Sequence, residues 1–140
     1  MTVTERRTAV TGDAAQLPIL NRFLHEFWSA ANLPPAQALN FELALEEIFM
    51  NIVMHGTQPG RTATVAVSLA LGANGLTMTV EDDGPQFDPL RLPPPDVAAS
   101  LVERPVGGLG VFLVRRVMDT VSYQRAGAHN RLTMTKSLAG

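Results

Sequence analysis

The sequence predicts an α+β fold on three observations. From Thr62 to Leu71 and from Leu76 to Glu81 apolar and small polar residues alternate, and Gly72-Ala73-Asn74-Gly75 between them is hairpin-turn chemistry. Leu17, Leu20, Leu24, Phe27 and Ala31 recur at helical spacing. Phe41 to Gly56, FELALEEIFMNIVMHG, would carry apolar residues on every side of a helix, the pattern of a buried one.

The 140 residues suit one domain, expected over 1–140, with room for a sizeable core. With 46% hydrophobic and 17% charged residues the chain is globular. A formal net charge of −2 gives no basic footprint, so nucleic acid is not an expected partner. No apolar run approaches the roughly 18 residues of a membrane span, and MTVTERRTAV lacks the apolar core of a signal peptide. Absence of cysteine excludes disulfides and thiolate metal sites and agrees with a cytoplasmic location, the one expected.

Taken in order, residues 3–10 are too polar at Glu5, Arg6 and Arg7 for a central strand and suit an edge. Asp13 followed by Gln16 resembles a capping box opening a helix over about 14–31. Asn32, Leu33, Pro34 and Pro35 break the chain and start the next helix. In the hairpin that follows, Ala63, Val65, Val67, Leu69 and Leu71 share one face. The second hairpin strand runs into Glu81-Asp82-Asp83-Gly84-Pro85-Gln86-Phe87-Asp88-Pro89. Leu90 to Val106 shows no clear period, which suits a functional loop or lid at about 89–107. Gly107-Gly108-Leu109-Gly110 opens a helix with Leu109, Phe112, Leu113 and Val117 on its apolar face. Val121–Arg125 and Leu132–Ser137 read as strands joined through Gly127 to Asn130.

Three features carry chemistry. Glu47, Asn51 and His55 lie at i, i+4 and i+8, one polar stripe on the apolar helix. Buried without partners these groups would be costly, so the stripe calls for a polar ligand, water or a metal ion; a satisfied helix face closed by His55 and Gly56 is the other reading. Aspartates before Gly84 suit a turn or a ligand contact. Glycines at a helix start expose N–H groups and the positive end of the helix dipole to phosphate, and they equally suit close helix packing.

In this order the three stretches resemble a known family. ELALEEIFMNIVMHG looks like its asparagine box, VEDDGPQFDP like its first glycine box and GGLGVFLVRRVMD like its second. The family is the ATP-binding fold shared by DNA gyrase, sensor histidine kinases and mismatch-repair ATPases, and the likeness is greatest to the bacterial anti-sigma factor serine-protein kinases. The resemblance implies an α/β (α+β) two-layer sandwich, with a mixed, largely antiparallel sheet covered on one face by about three helices. It implies ATP or ADP and Mg2+ as cofactors, with Asn51 holding the metal and Glu47 acting as general base. Glu47 is preferred to Glu46 because it lies four residues before Asn51. By the same carry-over His55 lies near the phosphates and Asp82 accepts a hydrogen bond from the adenine amino group. Gly84 then allows close approach to the ring, Phe87 joins the nucleotide site, and Gly108, Leu109, Gly110 and Val111 cradle phosphate.

The implied function is an ATP-dependent serine/threonine-protein kinase and anti-sigma factor. It would phosphorylate an anti-anti-sigma (STAS-type) partner, regulate a sigma factor by partner switching and form a homodimer. A nucleotide-binding switch without phosphotransfer is the alternative. His25-Glu26 resembles the phosphoacceptor dipeptide of histidine kinases, but that histidine needs a two-helix hairpin for which the chain has no room, so His25 is expected at the surface or facing a partner. One departure is Asn130-Arg131, where the family often has a Gly-Thr pair entering the last strand.

Overall fold

The alternating stretches become the middle of a single sheet. The computed structural model describes residues 3–56, 58–91 and 108–138. Its elements are β1 (Glu5–Thr11), α1 (Leu17–Ala30), α2 (Ala38–His55), β2 (Thr64–Gly72), β3 (Gly75–Asp82), α3 (Gly108–Val117), β4 (Thr120–Ala126) and β5 (His129–Lys136). The five strands lie in the order β1-β2-β3-β5-β4, and each described ladder is antiparallel, the limiting form of the largely antiparallel sheet expected.

Period-two alternation assigns the faces. Val65, Val67 and Leu69 of β2, Leu76, Met78 and Val80 of β3, and Leu132 and Met134 of β5 point to one side and are buried. All three helices cover that side: Leu20, Leu24 and Phe27 of α1, Phe41, Leu45 and Phe49 of α2, and Val114 of α3 enter the same core. The opposite face is small and polar, with Ser68, Thr79, Thr133 and Ser122 in register across four strands.

Helix α1 begins after a 3-10 turn at Ala14–Gln16, where the Asp13 carboxylate accepts from Ala15 N–H at 3.1 Å. This is the N-cap half of the expected capping box; among the described residues no hydrogen bond runs from the Gln16 side chain back to Asp13. The helix ends in a Schellman turn: Asn32 takes the left-handed φ of 53°, Leu33 N–H donates to Trp28 O and Asn32 N–H to Ser29 O. Trp28 Nε1 donates to Pro34 O at 3.0 Å, and its ring meets Phe41 with centroids 5.5 Å apart. The break predicted at Asn32–Pro35 is thereby locked to the core.

Three expectations are corrected. Helix α2 is not buried all round, since Leu39 is 71% and Met54 43% exposed; the sheet covers one side only. The buried face of α3 is Val111 and Val114, continued by Met118, while Phe112, Leu113 and Val117 are half-buried and Arg116 lies over the Phe112 ring. The last strand begins at His129, not Leu132, because the turn needs only Gly127, at φ +61°, and Ala128; Asn130 therefore sits inside the sheet. The expected lid lies outside the described residues from 92 onward, and Pro89–Arg91 before it form a 3-10 turn.

Phe41 is fully buried in the core, its ring beside Trp28 of α1, so Phe41→Ala should cost about 3–5 kcal/mol. Urea unfolding should show a lower midpoint at unchanged slope.

Candidate functional site

The inward row of the sheet changes character at one end. Along β3 the buried positions run Leu76, Met78, Val80 and then Asp82; along β5 they run Met134, Leu132 and then Asn130. Asp82 and Asn130 are register partners. They are 5% and 6% exposed, and Asn130 Nδ2 donates to Asp82 Oδ1 at 3.0 Å. A buried polar pair thus closes an apolar row, as the cost of an unpaired buried group requires.

Asp82 Oδ1 also accepts from Gly84 N–H at 2.9 Å. Among the described residues Oδ2 has no partner. Burial pushes the Asp82 carboxyl above the ordinary carboxylate value of 3.8. The hydrogen bonds from Asn130 and Gly84, with the Arg125 charge, pull it back, and Asp83 adds to the rise.

A narrow cleft, partly open to solvent, lies above this pair. Ile48, Asn51 and Ile52 of α2 form one wall, Val80, Asp82, Asn130 and Leu132 the floor, and Pro85, Phe87 and Tyr123 the other wall. An apolar slot with a few convergent polar groups suits a flat, partly polar ligand.

The loop after β3 is held at several points. Arg125 Nη1 donates to Gly84 O at 2.9 Å, and Asn130 takes Pro85 O and Phe87 N–H as further partners at 2.8 and 3.1 Å. A Cβ at residue 84 would lie 2.9 Å from Gly56 O and 3.0 Å from Asp82 Oδ1. Glycine is therefore needed there for the loop to reach the end of α2, a contact within the protein. Phe87 stacks on His55, centroids 4.5 Å apart and planes 19° from parallel. His55 is exposed and does not line the cleft, whereas Phe87 does.

On α2, Asn51 is 3% exposed, and its Nδ2 is buried without a hydrogen-bond partner among the described residues. An amide can turn either end towards that position, so it can offer an oxygen to a hard cation, and one amide oxygen with phosphate oxygens and waters is a donor set that Mg2+ accepts. No group of three or more His, Asp or Glu suited to a metal occurs among the described residues, so any ion here needs the ligand's own oxygens.

One turn earlier, Glu47 reaches the start of α3: a Cβ built on Gly110 would lie 2.1 Å from Glu47 Oε2. Glycine at 110 is what leaves space for that carboxylate. Burial first, and the Glu46 charge second, raise the Glu47 carboxyl above its ordinary 4.5. The first turn of α3, Gly108 to Val111, holds the N–H groups that a helix leaves unpaired; Val111 is 4% exposed, and the Leu109 side chain lies outside the described residues.

Of the residues chosen from sequence, Asn51, Asp82 and Phe87 line one cleft, with Gly84 behind its floor. Glu47 and Gly110 meet each other beside it. Asn130 and Tyr123 were missed. Extending the alternation of Met134 and Leu132 by two residues would have turned Asn130 inward; Tyr123 carries no comparable signal. His25 is exposed, with Nε2 3.4 Å from Glu42 Oε2.

Comparison with known proteins identifies the fold and the family. The family described as the histidine kinase-like ATPase domain matches residues 10–136. The serine/threonine-protein kinase BtrW of Bordetella bronchiseptica is 33% identical over 134 residues, covering 94% of this chain and 89% of BtrW. The serine-protein kinase RsbW of Bacillus thuringiensis is 28% identical over 86 residues, covering 59% of this chain and 53% of that one. In fold, the chain is similar to the crystal structure of the RsbU and RsbW domains of Rv1364c from Mycobacterium tuberculosis, with a TM-score of 0.66 at 14% identity, covering 96% of this chain and 32% of that one. The histidine kinase AdeS of Acinetobacter baumannii gives a TM-score of 0.53 at 17% identity, covering 96% of this chain and 70% of AdeS. The chain belongs to the histidine kinase-like ATPase family and, within it, to the serine/threonine-protein kinases that include BtrW and RsbW.

Proposed function

We propose that this kinase transfers the γ-phosphoryl group of ATP to a serine or threonine hydroxyl of a small anti-anti-sigma (STAS-type) partner, and that it regulates a sigma factor by partner switching. The observation that carries the reading is Glu47: a carboxylate on the Asn51 side of α2, seated against the start of α3 beside the cleft. A module that only bound nucleotide would have no use for it. The homodimer implied by the resemblance and the cytoplasmic location expected from the composition belong to the same proposal; no helix among the described residues is long and apolar enough to cross a membrane.

In this reading adenine enters the cleft with its amino group on Asp82, between the α2 wall and Phe87. The N–H groups of Gly108, Leu109, Gly110 and Val111 receive the phosphates, where the helix dipole favours negative charge. His55, stacked behind Phe87, supports the wall near the phosphate end. Mg2+, held through Asn51, would neutralise phosphate charge. Glu47 takes the hydroxyl proton as the hydroxyl oxygen bonds to the γ-phosphorus and ADP leaves, so it must be ionised when the acceptor arrives.

Glu47→Gln should lower phosphotransfer by about 10²- to 10⁴-fold while leaving the Kd for ADP unchanged, as measured by labelled-phosphate transfer and calorimetry. Thermal unfolding should rise with ADP only when Mg2+ is present, by about 2.7 kcal/mol at about 100 times Kd, and Asn51→Ala should abolish the rise; a folded chain with no shift at millimolar nucleotide would overturn the ATP site. Nucleotide binding without transfer to any STAS-type protein would leave the non-catalytic switch. Because the carboxyl is raised, transfer should grow as pH rises through the Glu47 titration. Glu46→Gln removes one cause of the rise and should move the acidic limb of the rate profile to lower pH.

A further inference from the structure

Asn130 uses its whole hydrogen-bonding capacity inside the protein. Its amide has two donor positions and two acceptor positions, and each is taken. Nδ2 donates to Asp82 Oδ1 at 3.0 Å and to Pro85 O at 2.8 Å, and Oδ1 accepts from Phe87 N–H at 3.1 Å and from the Tyr123 hydroxyl. The orientation of the amide follows from chemistry, since a backbone N–H only donates and a carbonyl only accepts. One side chain therefore ties β3, the loop after it, β4 and β5 together at the cleft floor.

The consequence falls on Asp82. A carboxylate turns freely about its last torsion, because that well is broad and two-fold. With Gly84 N–H alone on Oδ1, either oxygen could face the cleft. A second donor on the same atom, Asn130 Nδ2, holds the plane so that Oδ1 is saturated and Oδ2 is the acceptor left over. The same bond favours the ionised carboxyl against the burial that favours the protonated one. An ionised acceptor of fixed direction takes a donor such as the exocyclic amino group of adenine and repels the carbonyl oxygen that hypoxanthine and guanine carry at that place.

We propose that Asn130 is the positioning residue for purine selectivity: by holding Asp82 it makes the cleft accept 6-aminopurines and refuse 6-oxopurines. This rests on the ATP-site reading above. Asn130 has no hydrogen-bonding position left over for a nucleotide; it acts through Asp82, and the loop it gathers carries Phe87 to the cleft wall.

The test is calorimetric binding of ADP and IDP, with Mg2+, to the unmodified chain, to Asn130→Ala and to the milder Asn130→Ser, with folding of each checked by circular dichroism. The unmodified chain should prefer ADP by at least about tenfold, the effect of a hydrogen bond to a charged group. In the variants that ratio should fall towards one, through weaker ADP and unchanged or stronger IDP. A folded variant in which both affinities fall in parallel, or in which the ratio stays within about twofold of the unmodified value, would overturn the assignment and leave Asn130 a structural tie. Failure of the unmodified chain to bind ADP would overturn the ATP-site reading itself, and this role with it, whereas ADP binding with an unmoved ratio would overturn only the role of Asn130.

Discussion

The buried Asp82–Asn130 pair is the constraint on which the site depends. A carboxyl at 5% exposure is costly unless its hydrogen bonds are supplied. The sheet supplies one by register, since the two residues face each other across β3 and β5. The loop supplies another through Gly84 N–H. Among the described residues one acceptor of that carboxyl, Oδ2, remains unfilled at the floor of a largely apolar slot, with its position set by the paired strands β3 and β5. A site built this way has little freedom to reorganise when a ligand arrives, which favours selective binding.

Helix α2 connects that floor to the other end of the site. Its Phe41, Ala44, Leu45, Ile48 and Ile52 face the core and fix its height above the sheet. Asn51 and Glu47, one turn apart, are then delivered to the border between core and cleft. The same burial that orders them raises the Glu47 carboxyl. A carboxyl raised above its ordinary value holds a proton better than an exposed glutamate, at the cost of a smaller ionised fraction in acid.

Two glycines are best understood from what surrounds them. Gly84 gives the loop after β3 its approach to Gly56, and Gly110 leaves the start of α3 open to the Glu47 carboxylate. In both places the missing side chain serves contact between protein segments. The first-turn N–H groups of α3 and the Glu47 carboxylate on α2 are thus brought together by one close approach.

Much of this was legible in the chain. The strand alternation and the helical spacing are local signals, and they gave the hairpin and both long helices, because period two and period 3.6 express which side meets the core. Glu47 and Asn51 could be placed together from their spacing alone. Where the sequence misled, the deciding term was long-range. The buried face of α3 is Val111 and Val114 because of how the helix lands on the sheet, and nothing within GLGVFLVRRV reveals that. His55 meets Phe87, and Asn130 meets Asp82, across 32 and 48 residues. By itself the sequence determined the elements, the faces of the central hairpin and of α1, and the residue types expected of a nucleotide site. The tertiary structure alone decided which polar groups saturate one another and which acceptor is left free, because that depends on register between strands distant in the chain.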